Sequence, residues 1–345
     1  MKNYFIALNP SHENTAWSKA AEDVEFFLSQ MGFHPIPVQR FLAGMESCLA
    51  ETLPADEDGI LLLQYPKILF EDFNFDWFLH CMRVHFPQYR LVALIHDLDS
   101  IRFGDFFTTG RIAEISTLNQ FDFLIAVNDS MKTVLERHGA LPRIYSMSLF
   151  DYTLKSGCRR VRHKTPTIAF AGNLKYEAFL YQLDKIDWKG TVLHLYGPNL
   201  NTQKWKPSAG CRFCGEFPPD ELPDAVTDSF GLCWEGNSLD GCHGKIAEYL
   251  KYTNSHKTSF YLALGLPVIL CEQMPTAAFI KRKHAGIVIS SLHELPDAVN
   301  SLSEEDYQGL HKNCLRLSHK LRHGCFLGNV ILQVMRDMQN CSSSA

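Results

Sequence analysis

The chain has 345 residues, about two domains' worth, with 46% hydrophobic and 21% charged residues, which excludes a disordered chain, a fibrous repeat and a coiled coil. A formal net charge of −5 gives no overall field favouring nucleic acid, so no nucleic-acid partner is expected. The longest unbroken apolar stretch, Tyr261 to Cys271, has eleven residues and contains Gly265 and Pro267, well short of the about 20 that a membrane-spanning helix needs.

In chain order, Met1-Lys2-Asn3 leads into a short apolar run ending at Asn9-Pro10. It lacks a signal peptide's long apolar core and reads as a first strand. Strands are predicted at Tyr4–Leu8, Ile60–Leu63, Leu91–Ile95, Phe123–Val127 and Ile144–Leu149, and again at Thr167–Ala171, Thr191–Tyr196, Phe230–Trp234, Pro267–Leu270 and Gly286–Ile289. Most are continuous apolar runs, the pattern of strands buried on both faces. Helical stripes lie between them; Trp17, Ala20, Ala21, Val24, Phe27, Leu28 and Met31 form one. Alternating strands and helices predict an α/β protein with parallel, doubly wound sheets.

The two strand sets are separated by a basic stretch, Lys155 to Lys164, which reads as an interdomain linker and a solvated loop. A cationic patch for anionic lipid headgroups is the alternative reading. The organisation predicted is a first domain over 1–154, a linker over 155–166, a second domain over 167–320, and a C-terminal helix and tail over 321–345. Val330, Ile331, Val334, Met335 and Met338 give that helix an apolar face that returns to the first domain, with a frayed tail from Asn340. The 11 cysteines are an odd, scattered set, consistent with reduced thiols in the cytoplasm. Cys211-x-x-Cys214 would need Cys242 or His243 to make a zinc site, and loop cysteines are the preferred reading, so no metal ligands are assigned.

Three segments carry candidate chemistry. In Lys251 to Leu270, Asn254 or Ser255 caps a helix that Gly265 ends and Pro267 follows with a buried strand. Its first turn, with Lys257, Thr258 and Ser259, suits a phosphate; a capped helix with a surface lysine is the equal alternative. Gly172-Asn173, after a strand, lets backbone approach a ligand, although G-x-G-x-x-G spacing is absent. Tyr196-Gly197 and Trp234-Glu235-Gly236 repeat an aromatic-to-glycine exit, either a face for a base or simply the way the chain leaves a sheet. The run Ile95-His-Asp-Leu-Asp-Ser-Ile-Arg102 gathers titratable groups at a strand end, suited to general-base work or to a polar loop.

Together these segments resemble the bacterial glycosyltransferases that include the O-antigen β-1,6-galactofuranosyltransferases and the glucosyltransferases of serine-rich-repeat adhesins. The matching residues are Ile95-His-Asp-Leu-Asp with Arg102, Ala171-Gly-Asn-Leu174, Gly231-Leu-x-Trp-Glu-Gly236, Cys242, Glu248-Tyr-Leu-Lys251 and Asn254-x-His-Lys-Thr-Ser-x-Tyr-Leu262. Ala16, Lys19, Ala20 and Asp23 match as well, and Ser255 stands where the family usually has proline. The resemblance runs from about residue 9 to 289.

The resemblance implies a GT-B fold, two Rossmann-like domains facing a cleft, with the sugar nucleotide in the second. It also implies a UDP-hexose donor, inversion at the anomeric carbon and no essential metal or other cofactor. The Glu-x7-Glu pair of larger retaining families is not supported, since Tyr252 and Phe260 hold those places. Lys257, helped by the helix start and Lys175, would neutralise the diphosphate. Gly172, Asn173, Gly197, Glu235, Asn254, His256, Thr258 and Ser259 complete the donor set, with Tyr196 or Trp234 near the uracil. Asp97 or Asp99, with His96 next, would be the base. Asn9, Ser11, His12 and Arg102 would shape the acceptor site.

The function expected is hexosyl transfer, of galactofuranose, galactose or glucose, to a glycan or glycolipid acceptor such as O-antigen or capsule. The basic stretch and Phe103, Phe106 and Phe107 would bring the enzyme to the inner face of the cytoplasmic membrane. Rival readings are a UDP-sugar epimerase of the same fold and a non-catalytic sugar-nucleotide-binding partner of another transferase. A homo-oligomer is compatible with the sequence.

Overall fold

The computed structural model describes residues 2–8, 16–65, 75–155, 163–244 and 248–342. The chain divides into two compact units, Met1–Ser148 with Phe326–Ala345, and Leu149–Cys325.

The first unit is built on β1 (Tyr4–Ala7), α1 (Ala16–Gln30), β2 (His34–Pro37), β3 (Gly59–Tyr65), β4 (Tyr89–Ile95), β5 (Phe123–Ala126), α2 (Asp129–Arg137) and β6 (Arg143–Ser146). The strands form one sheet in the order β2-β1-β3-β4-β5-β6, every neighbour parallel. All seven residues of β3 are buried, as helices on both faces of a parallel sheet require. Ala20, Ala21, Val24, Phe27 and Leu28 are the buried stripe of α1. The order reverses between β1 and β3, so the crevice for a ligand lies outside their carboxyl ends.

The second unit contains β7 (Thr167–Ala171), β8 (Val192–Tyr196), β9 (Cys211–Gly215), β10 (Phe230–Cys233), α3 (His256–Ala263), β11 (Val268–Cys271), β12 (Gly286–Ile289) and α4 (Glu304–Leu321). Its parallel sheet runs β12-β11-β10-β7-β8-β9. Counted from the unit's own first strand this is the order 6-5-4-1-2-3, the dinucleotide-fold arrangement. Its reversal lies between β7 and β10.

The final helix, α5 (Cys325–Ser342), belongs from Phe326 onward to the first unit. There Asp337 accepts the Tyr145 hydroxyl and pairs with Arg143 at 2.7 Å. It continues through Asn340, where a frayed tail was expected.

Two strands escape the apolar-run reading, β2 (HPIP) and β9 (CRFCG), and both are sheet edges. An edge strand is not enclosed on all sides, so it needs no continuous apolar run. Cys211 and Cys214 therefore lie on a strand rather than a loop. Cys242 is engaged elsewhere, through a thiol–thiol hydrogen bond with Cys271. Phe106, expected at the surface, is buried and packs on His138 at 5.5 Å, while Phe103 and Phe107 are 60% and 45% exposed.

Candidate active site

At the reversal in the second sheet, β7 leads into Gly172 and β10 leads into Trp234-Glu235. Gly172 has φ +149° and Gly197 φ +136°. A Cβ on Gly197 would fall 2.0 Å from the Gly172 carbonyl oxygen, so the two turns nest only without side chains. Gly172 donates its N–H to the Tyr196 carbonyl at 3.0 Å. A Cβ on Gly172 would meet Lys257 Cε at 3.2 Å, so the lysine lies directly against this turn.

Lys257 arrives on the first turn of α3, and the helix is fixed at both ends. Ser255 is its N-cap and directs its hydroxyl to Glu235 at 3.2 Å. At the other end Gly265 donates to the Leu262 carbonyl and Leu266 to that of Tyr261, both at 2.9 Å, with Gly265 at φ +75°. That is a Schellman stop. From α4, Ser318 donates to the Ala263 carbonyl at 2.6 Å and His311 to that of Gly265 at 2.7 Å, covering carbonyls the helix cannot pair itself.

The Lys257 ammonium donates to Glu177 Oε1 and Glu235 Oε1, each at 3.1 Å, and lies 5.3 Å from the Phe170 ring centroid. Burial alone would disfavour the ammonium; the charges of Glu235 and Glu177 outweigh it and hold its pKa above the usual lysine value. Burial pushes the Glu177 carboxyl up to about 7 against the pull of Lys257. Glu177 also accepts the Gly236 N–H at 3.3 Å. This residue had no signal in the sequence, for it is an isolated acid 80 positions from Lys257.

The other anticipated donor residues divide. Asn173 and Lys175 are exposed beside Gly172, and Asn173 Oδ1 accepts the Lys175 N–H at 3.1 Å. His256 stacks on Phe150, with 4.4 Å between centroids, and Asn254 is buried just before the helix. Tyr196 and Trp234, expected to offer faces for a base, are only 3% and 0% exposed. Their polar atoms point inward, the Tyr196 hydroxyl to Asp228 at 2.8 Å and the Trp234 N–H to the Ser238 carbonyl at 3.0 Å. Thr258 and Ser259 are likewise buried, their hydroxyls donated to Cys233 Sγ at 3.4 Å and the Phe150 carbonyl at 2.7 Å. These four are spent on the core, because an aromatic or hydroxyl beside a strand end is as useful for packing as for binding.

In the first unit, β4 leads into His96, Asp97 and Asp99. Asp97 is paired with Arg102, whose guanidinium lies over Phe103. Asp99 Oδ1 is buried with no hydrogen-bond partner among the described residues. Burial, with the Glu114 and Asp97 charges nearby, pushes its carboxyl up to about 6. His96 is buried with Nε2 2.7 Å from Gln64 Oε1, and burial lowers its pKa to about 3. Gln64 in turn donates to Glu25 at 3.4 Å, and Glu25 accepts the Leu8 N–H at 2.7 Å. His96 is thus a neutral member of a core network. Glu25 and Gln64 were also unmarked in the sequence. Asn9, Ser11 and His12 lie outside the described residues, as does most of the basic stretch. Lys155, at its start, pairs with Asp220 at 2.5 Å. Among the described residues no helix is long and apolar enough to cross a membrane.

The family models "Glucosyltransferase 3-like, N-terminal domain" and "Glucosyltransferase 3-like, C-terminal domain" match residues 2–149 and 168–334. The chain is 31% identical to the β-1,6-galactofuranosyltransferase WbbI of Escherichia coli (strain K12), over 73% of each chain. It is 26% identical to glucosyltransferase 3 of Streptococcus gordonii, over 73% of this chain and 72% of the relative. Among solved structures, Anabaena Alr3699/HepE in complex with UDP superposes with a TM-score of 0.61 at 11% identity, covering 98% of this chain and 100% of that one. That likeness carries the fold alone, two Rossmann-like domains of the GT-B type.

Proposed function

The chain belongs to the glucosyltransferase 3-like family of glycosyltransferases, and on that premise we propose that it moves a hexose from a UDP-hexose to a hydroxyl of a bacterial surface-glycan intermediate, with inversion and without an essential metal. The observation that carries this reading is Lys257, a half-buried ammonium laid against the Gly172 turn where the second sheet reverses its strand order.

The diphosphate sits at the Gly172-Asn173 turn with Lys257 and Lys175 as its cations. The acceptor oxygen bonds to the anomeric carbon as the bond from that carbon to the diphosphate oxygen breaks, its electron pair leaving with UDP. The acceptor proton passes to a carboxylate base. Asp99 suits that role better than Asp97, because Asp97 is held by Arg102 whereas Asp99 keeps a buried oxygen unpaired among the described residues and a pKa near the working range. Stabilising the leaving diphosphate by a fixed charge acts only as that charge develops. A lipid-linked acceptor would be met at the membrane surface through Phe103 and Phe107.

The test is a thermal-shift panel of UDP, GDP, ADP, dTDP and CMP with and without EDTA, on wild type and Lys257→Ala, followed by turnover of UDP-hexoses with glycan acceptors. A ligand at 100 times its dissociation constant stabilises by about 2.7 kcal/mol. A UDP-selective shift indifferent to EDTA and absent from Lys257→Ala supports the reading, and no shift with any nucleotide overturns it. Consumption of UDP-hexose without acceptor would indicate an epimerase instead.

A further inference from the structure

Around Lys257 the structure holds more negative than positive charge. One ammonium lies between two carboxylates, Glu177 and Glu235, at 3.1 Å from each. An anionic ligand at the Gly172 turn would meet an ammonium already shared by two carboxylates, with the exposed Lys175 the further cation at that turn. Two carboxylates and a diphosphate competing for the Lys257 ammonium repel one another even with Lys175 beside the phosphate, and the usual relief is protonation of the least solvated acid.

We propose that Glu177 takes up a proton when the nucleotide diphosphate binds, releasing one hydrogen bond of Lys257 to the phosphate. The inference rests on the donor-site reading above. Glu177 rather than Glu235 is the acceptor because its side chain is the more enclosed, 7% against 15% exposed, and because it sits on the edge of protonation, with its carboxyl pushed up to about 7. The charged groups facing it are Lys257 from α3 and Glu235 from the end of β10, and the Gly236 N–H completes its contacts. Behind Lys257, the Tyr261 hydroxyl and the Cys233 thiol are kept protonated by burial. Once protonated, Glu177 can still accept the Gly236 N–H, so the turn keeps its shape while the ammonium changes partner. Glu177 is therefore a positioning residue, acting on the ligand through Lys257.

Because a proton enters with the ligand, binding weakens as pH rises. The affinity is flat well below pH 7 and the dissociation constant rises toward about tenfold per pH unit above it. UDP-glucose and UDP-galactose are the probes, since their diphosphate has no terminal phosphate to titrate near pH 6, as a phosphate monoester does. Calorimetry at about pH 7.5 in HEPES and in Tris, whose ionisation heats differ, reads the protons exchanged. Wild type is expected to take up more than half a proton per nucleotide, and Glu177→Gln close to none, with a flattened pH profile and affinity retained at high pH. Binding that is tight yet the same in both buffers and at every pH overturns this inference and leaves the donor site standing. Failure of wild type to bind either nucleotide, or UDP itself, overturns both. Should Glu177→Gln not fold, the wild-type dissociation constants between about pH 6.5 and 8.5 decide the matter alone: a rise supports the inference and a flat line overturns it.

Discussion

Tyr261 ties the helix that carries Lys257 to the strand end that carries Gly172. Its hydroxyl accepts the Ala171 N–H at 2.7 Å, and its ring lies where a Cβ on Gly231 would stand, 2.1 Å from Cγ. Helix α3 and strands β7 and β10 are thus locked at one point, one residue from the turn against which Lys257 rests. Tyr261→Phe leaves a buried N–H unpaired and is expected to destabilise the fold by about 1–3 kcal/mol, read as a lowered denaturation midpoint with an unchanged slope. Gly231→Ala must displace the ring and is expected to cost more. If both variants match wild type, the lock is not structural.

Lys257→Ala removes the only ammonium bonded to Glu177 and Glu235 among the described residues. Breaking a buried ion pair from one side costs up to about 3–5 kcal/mol, because the remaining charge is uncompensated. Here partial exposure and protonation of Glu177 reduce that figure. The variant is expected to be less stable at pH 8 than at pH 5 by a wider margin than wild type. Urea titrations at the two pH values measure this, and equal margins would show that the pair is energetically idle.

Glu25, Glu177 and Asp99 have carboxyls raised to about 7, 7 and 6, above their unfolded values. Between about pH 4.5 and 7 these three carboxyls bind more protons in the native state than in the unfolded chain, so their contribution to stability falls as pH rises through that window, offset in part by neutral His96, whose own contribution rises up to about pH 6.5. Each carboxyl contributes on the order of 1–3 kcal/mol of that loss. Melting temperatures are expected to decline from pH 5 to pH 7.5, and Glu25→Gln or Glu177→Gln to flatten the decline. A stability that rises over this range would contradict the burial that shifts these groups.

For Asp99 as the base, Asp99→Asn is expected to lower kcat by about 10²–10⁴-fold while leaving UDP-hexose affinity intact. Because the base must be ionised, kcat at saturating donor is expected to climb as pH rises through about 6 and then level. Asp97→Asn, which frees Arg102, is expected to do less. An Asp97→Asn loss larger than that of Asp99→Asn reverses the assignment.

Phe103 and Phe107 are exposed while Phe106 anchors their segment from below. A buried phenylalanine contributes about 1.5–3 kcal/mol, so the double variant Phe103→Ser with Phe107→Ser is expected to lose co-sedimentation with vesicles rich in anionic lipid. Equal sedimentation of variant and wild type would remove these side chains from any membrane role.

Local physics made much of this protein legible in the sequence. Runs such as Leu91–Ile95 and Phe230–Trp234 are apolar throughout because strands covered on both faces leave no polar side, so both parallel sheets could be read from one dimension. Gly265 and Pro267 marked the end of the helix that carries Lys257, because a left-handed stop and a missing N–H are properties of single residues. The edge strands β2 and β9 were hidden, since an edge does not demand that pattern. Exposure was hidden too. Trp234, Tyr196, Thr258 and Ser259 look the same in sequence whether they line a pocket or fill a core, and the structure places them inside. Glu177 shows the limit most plainly. It reaches Lys257 because the reversed strand order sets β7 beside β10, with the loops after both facing the start of α3. A salt bridge across 80 residues is a consequence of that order, and no spacing along the chain records it.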